Sequence, residues 1–185
     1  EYTTLALDKG KWTAREVARK RIKAPAADDS YCEKNWMPIL DKPFTFIKWC
    51  SPVEVVHSYP DREETTQLVH KQTLQAPRDQ RGGSQLIRWG NHYICITHEV
   101  NLFNNYLKQK DAVYRHRLAL WDDDLNLVGL SQPFSFLDAN IEFCVGAAEH
   151  HGDLLLTFGF QDNAAFVLRV PRLVVEDLVL EALHV

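Results

Sequence analysis

The sequence predicts an all-β chain of the β-propeller kind, closed by a short C-terminal helix, and three observations predict it. A pattern recurs three times: a polar cluster, a short strand of β-branched or aromatic residues, a tight turn, and a second strand ending in polar groups. The copies open at Lys34-Asn35-Trp36-Met37-Pro38, at Arg81-Gly82-Gly83-Ser84 and at Ile141-Glu142-Phe143. Turn residues, Trp89-Gly90-Asn91 and His150-His151-Gly152-Asp153, fall between the paired strands of the second and third copies. Repeats of this length built of short strands read as propeller blades, which gather the polar ends of their inner strands around one axis.

The elements follow in order. Residues 2–7, a turn over Asp8-Lys9-Gly10-Lys11, and residues 12–22 read as a hairpin closing an earlier blade, with a helix as the alternative over 12–22 because the alternation there is imperfect. A loop containing Pro25 and Asp28-Asp29-Ser30 follows. The first repeat supplies strands near 44–49, 53–58 and 65–74, the last a polar edge strand. The second supplies strands near 84–89, 92–99, 113–121 and 125–131, with Asn101 to Asp111 a polar and aromatic loop over the axis. The third supplies strands near 142–149, 153–160 and 164–170. After Pro171, residues 172–183 carry apolar positions at helical spacing. The whole of 1–185 reads as one domain, a partial propeller of about three blades. A closed propeller needs at least about four, so the reading expects further N-terminal blades or a second copy in a homo-oligomer to complete it.

Composition narrows the function classes. With 21 Lys and Arg against 25 Asp and Glu the formal charge is -4, which gives no electrostatic case for a nucleic-acid or anionic-membrane partner. No apolar run approaches the roughly 20 residues that cross a bilayer, and the first residues lack the pattern of a signal peptide. The four cysteines, Cys32, Cys50, Cys95 and Cys144, are widely spaced and three lie in apolar strand patterns, which predicts buried thiols and a cytoplasmic setting. No metal site is predicted. Neighbouring residues of a hairpin are expected to point to opposite faces, which argues against a metal pair at His150 and His151, and Trp121-Asp122-Asp123-Asp124 lacks the glycine and terminal glutamate of a calcium loop.

The polar heads of the repeats are Lys34, Asn35, Arg81, Glu142 and Asp162, with His98 and Glu99 ending a central strand. Cations, a histidine and carboxylates converging on one axis suit an oxygen-rich ligand such as a sugar or phosphate, because each offers directional hydrogen bonds. The plainer reading makes Lys34 and Arg81 solvated loop charges and Asp162-Asn163 turn chemistry. Likewise, Tyr114-Arg115-His116-Arg117 reads as a partly solvated strand face or a phosphate clamp.

The succession Lys34-Asn35-x-x-Pro38, Arg81-Gly82-Gly83 with a strand ending in His98, Glu142-Phe143-x-x-Gly146, and Phe158-Gly159-x-x-Asp162 resembles the five-bladed β-propeller of glycoside hydrolase family 130, the mannoside phosphorylases and related mannosidases. The resemblance spans about residues 30 to 170. It implies a glycan-processing propeller acting on mannoside-type glycosides by hydrolysis or phosphorolysis, with inorganic phosphate as co-substrate and no other cofactor. It implies that Lys34, Asn35, His98 and Asp162 line the sugar or phosphate site, with Arg81 beside them, and that Phe143 and Trp36 stack on a sugar face. Trp36 reads equally as a core anchor between blades.

The departures are specific. The family's catalytic acid stands in a Glu-Asp-Pro-Arg-like motif, and here Asp61-Arg62 follows Pro60 in the wrong order. Phe46-Ile47-Lys48-Trp49-Cys50 lacks the arginine of the phosphorylases, and His98 is followed by Glu99 rather than glycine, a carboxylate that disfavours phosphate nearby. Inverting cleavage needs an acid and an activated nucleophile. Asp162 and Glu142 are the candidate catalytic carboxylates, and Glu99 is a candidate for substrate binding. The alternative is a non-catalytic carbohydrate- or protein-binding module, part of a larger glycosyltransferase-type protein.

Overall fold

A computed structural model describes residues 2–23, 34–59, Arg62, 65–73 and 80–184; Cys32, Asp61 and the Pro25 loop lie outside them. Among the described residues, fourteen strands and one helix form four antiparallel sheets with a helix at the C-terminal end. The first sheet is a hairpin of β1 (Tyr2–Asp8) and β2 (Thr13–Lys20), its turn closed by the Asp8 carboxylate, which accepts hydrogen bonds from the backbone N–H of Gly10 and Lys11. Strand, not helix, is therefore the outcome over the second arm, where cross-strand pairing runs from Asp8↔Thr13 to Tyr2↔Lys20.

The second sheet holds β3 (Met37–Pro38), β4 (Thr45–Cys50), β5 (Val53–Tyr59) and β6 (Thr65–Gln72) in that order, with the polar β6 on the edge. The third holds β7 (Arg81–Gly82), β8 (Ile87–Trp89), β9 (His92–Asn104), β10 (Lys110–Trp121) and β11 (Leu127–Leu130). The fourth holds β12 (Glu142–His150), β13 (Asp153–Phe160) and β14 (Ala164–Val170), and α1 (Arg172–Leu183) follows Pro171.

Period-two alternation decides how the sheets stack. Tyr93 and Cys95 of β9, with Ala119 and Trp121 of β10, are buried with Met37, Ile47, Val53 and Val55 of the second sheet. The intervening residues, Ile94, Ile96, Leu118 and Leu120, are buried with Cys144, Ala147, Leu154 and Leu156 of the fourth. The third sheet thus lies between the other two, and each fully buried aliphatic or aromatic side chain contributes about 1.5–3 kcal/mol.

Side chains that imitate backbone tie the stack together. The Gln72 amide donates to the Leu127 carbonyl and accepts from the Leu127 N–H at 3.4 and 2.8 Å. Gln85 does the same with Ala147 at 2.6 and 3.2 Å. The Gly82-Gly83 pair lets the backbones converge: a Cβ on Gly82 would collide with the Asn35 carbonyl, and one on Gly83 with that of Ile96. Helix α1 seals one flank through Val175 and Ala182, whose carbonyl packs against Gly129.

One segment differs from the sequence reading. Residues 101–111 form no loop over an axis: β9 and β10 stay paired from Tyr93↔Trp121 out to Asn104↔Lys110. The turn is closed by Asn105, whose N–H donates to the Gln109 carbonyl and whose Oδ1 accepts from the N–H groups of Leu107 and Gln109. The polar composition there belongs to a projecting hairpin arm.

Candidate functional site

Register assembles the site. β7 pairs with β9 so that Arg81 stands opposite His98, and β10 pairs with β9 so that His116 stands opposite His98 from the other side. Side chains directly opposite one another share a face, so Arg81, His98 and His116 all lie on the face of the third sheet that meets the fourth. His98 is 2% exposed, its ring edge-to-face with Phe143 at 4.9 Å and stacked with Tyr114 at 5.5 Å. Behind it, His116 is fully buried, 4.4 Å from the Phe136 ring and 6.1 Å from that of Phe134.

These imidazoles are held neutral. Burial pushes His98 down to about 4, with His116, Arg81 and Lys34 adding repulsion and the Gly82 backbone opposing. Burial likewise pushes His116 down to about 4 against the pull of the Glu142 carboxylate. Nδ1 of His98 is buried without a hydrogen-bond partner, and the ring nitrogens of His116 meet no hydrogen-bond geometry although the backbones of Glu142 and Phe134 lie near enough to favour its protonation. Buried polar atoms are nearly always paired, so three ring nitrogens in one place without a well-formed hydrogen bond mark an unusual site. Lys34 is exposed at its edge, and Asn35 adopts a left-handed conformation, φ 62°, with its carbonyl against Gly82.

The carboxylates fall elsewhere. Glu142 is fully buried and accepts hydrogen bonds from the backbone N–H groups of Phe136, Leu137 and Ala139 at 2.6, 2.8 and 2.9 Å. Both oxygens are engaged, which makes it the anchor of the 134–141 loop and not a free proton donor; the sequence reading of a catalytic Glu142 has no support in this geometry. Glu99 lies on the opposite face from His98, where it accepts from Gln80 Nε2 at 2.9 Å and pairs with Arg117 at 3.3 Å. Its charge is therefore neutralised away from the site. Asp162 is exposed, in a turn held to β12 by the Gln161 N–H donating to the Ile141 carbonyl at 2.8 Å, and so stands at the site's end of the fourth sheet.

The structure thus brings together Lys34, Arg81, His98 and Phe143, keeps Asp162 at the rim, and separates Glu99. Trp36 is half-buried, its ring 5.8 Å from that of Phe46 in the second sheet. Sequence reasoning missed Tyr114 and His116 as members. Their signal was the alternation in Tyr114-Arg115-His116-Arg117, which sends the aromatic residues to one face and the arginines to the other.

Other chemistry is not assembled. Burial raises the Cys50 and Cys144 thiols to about 12, leaving them unreactive. Among the described residues no group of three His, Cys, Asp or Glu side chains is placed to hold a metal ion. Asp122 closes its hairpin turn by accepting from the backbone and side-chain amides of Asn126.

Fold and site define a class: an all-β chain of small stacked antiparallel sheets carrying, at one end, a buried neutral histidine between aromatic rings with cations at its edge. Comparison with protein-family models, with curated proteins and with solved structures finds no match for this chain.

Proposed function

We propose that the three stacked sheets are blades of a propeller of the five-bladed glycosidase type, and that the His98 site binds a glycan, by resemblance a mannoside. The observation that carries the reading is the neutral, buried His98 walled by Phe143 and Tyr114, with Arg81 beside it. A neutral imidazole both donates and accepts, as a sugar hydroxyl requires. Aromatic rings offer apolar faces to the C–H face of a sugar, and the cations Arg81 and Lys34 serve its oxygens or a phosphate.

Binding is favoured over cleavage by the fate of the carboxylates. Glu142 is committed to a loop and Glu99 to Arg117, which leaves Asp162 alone where glycoside cleavage by inversion needs two functions. Hydrolysis or phosphorolysis is the second reading, supported by the place of Asp162 at the rim. The cytoplasmic setting belongs to the same proposal, with the buried, unpaired Cys50, Cys95 and Cys144 in its support.

Calorimetric titration with short mannosides, with and without inorganic phosphate, tests both readings when sugar release is followed in parallel. Binding lost in Arg81→Ala and His98→Ala, with no release, is the expected result. Release abolished by Asp162→Ala would replace it with the catalytic reading, and absence of binding would remove the site.

A further inference from the structure

From the third sheet to the fourth the chain crosses by a strap, residues 132–141, that lies along β10. Its two ends are fixed: Ser131 is buried and bonded to Leu118 through its N–H and its hydroxyl at 2.9 and 3.0 Å, and Glu142 opens β12. The middle is held by polar tethers. Phe134 and His116 exchange backbone hydrogen bonds at 2.8 Å, the Asn140 carbonyl accepts from the Tyr114 N–H at 2.8 Å, and the Glu142 carboxylate holds the N–H groups of Phe136, Leu137 and Ala139. The strap is one chain thick. Its inner side lays the Phe134 and Phe136 rings on the His116 imidazole, and its outer side leaves Leu137 and Asp138 exposed to solvent.

We propose that this strap is an acid-opened cover, and that a proton taken up by the His116 imidazole releases residues 132–141 from the seam. The inference goes beyond the glycan reading and holds whatever the seam binds. A charged imidazole needs water or well-placed acceptors, and in the closed seam His116 is fully buried among aromatic rings with neither nitrogen in hydrogen-bond geometry. The strap, with solvent on its other side, is the layer whose movement hydrates the ring. The charges around His116 do not hold a proton in place. His98 stands across from it in β9 with Arg81 beyond in β7, Arg115 adjoins it in β10, and Asp138 of the strap is turned outward, 3.9 Å from Arg115 Nη2. Glu142 of β12 pulls the other way, helped by the Glu142 and Phe134 backbones, yet burial outweighs them and holds the closed-state value at about 4 against an ordinary 6.5. Opening therefore takes up a proton between these values and is favoured as pH falls.

The test is amide exchange of the whole chain from about pH 7 down to about 4.5, each rate divided by the intrinsic rate of that amide at the same pH. The proposal expects the amides of Phe134, Phe136, Leu137 and Ala139 to open up to roughly tenfold more readily per pH unit below about 6.5, while those of β13 keep their protection. In His116→Leu, which removes the proton acceptor, opening of the strap should no longer depend on pH. Opening that still rises with acid in this variant overturns the proposal and assigns the effect to the Glu142 carboxylate. A strap that stays closed overturns it too, as does protection lost equally over β13, which is unfolding of the whole. Should His116→Leu fail to fold, the imidazole resonances of the wild-type chain decide: His116 is expected to take up its proton in step with the opening of the strap. A His116 ring that stays neutral while the strap opens overturns the proposal.

Discussion

The two faces of the third sheet are made by the same strands and are built to opposite rules. Toward the second sheet, most polar groups are matched, with His70 Nε2 and Thr66 Oγ1 of that sheet as buried exceptions. Tyr93 donates its hydroxyl proton to the Asp41 carboxylate at 2.8–2.9 Å under the Arg88 guanidinium, Trp121 Nε1 donates to Cys95 Sγ at 3.3 Å, and Thr97, Gln80, Glu99 and Arg117 form one network. Toward the fourth sheet, His98 and His116 leave three ring nitrogens without a well-formed hydrogen bond among aromatic rings. A satisfied polar network fixes a seam, whereas unsatisfied buried groups cost stability and persist where a ligand uses them. One seam is mostly matched, and the other is the one proposed to bind.

Substitutions can break this contrast. The largest effect belongs to the matched seam: Trp121→Ala empties a fully buried site and should destabilise by about 3–5 kcal/mol in denaturant melts. On the other seam Glu142→Ala should cost about 2–4 kcal/mol, because three backbone N–H groups lose a charged acceptor. Amide exchange should show that loss first in residues 134–141, and exchange that rises equally over the second sheet would contradict the separation of the two seams.

Between pH 6.5 and 4 acid should act mainly on the seam that holds His98 and His116. Both histidines have folded-state values near 4 against an ordinary value of 6.5, so between these the unfolded chain binds more protons. Stability is whole above about pH 6.5 and falls as pH drops toward 4. His116→Leu should flatten that fall in melts across the range; an unchanged slope would show that the imidazoles are not its source. Burial sets the sense, Arg81, Lys34 and Arg115 add to it by opposing protonation, and Glu142 with the Gly82 and Phe134 backbones favours it. The smallest effect is expected for the glutamine bridges, where Gln72→Ala and Gln85→Ala should each cost about 1 kcal/mol, at opposite seams.

Much of this was readable before the structure. The strands near 53–58, 142–149, 153–160 and 164–170 and the helix over 172–183 follow from alternation, turn residues and a proline, all local signals. Side-chain facing was harder. His98 and Glu99 are neighbours in sequence, and only the identity of the sheets packed on either side shows that one enters the site and the other a salt bridge. Glu142 looked like chemistry because its partners, the N–H groups of residues 136–139, are backbone atoms without a sequence signature. The segment 101–111 reads as a loop from its asparagines, yet Asn105 alone makes the turn and the others sit in paired strands.

The most direct measurement of the central claim is the imidazole NMR spectrum of the labelled chain during titration with a short mannoside. The account predicts that the His98 resonances move on binding while those of His57 and His92, outside the site, stay still. Movement confined to remote histidines, or saturation binding that leaves His98 unchanged, would contradict it.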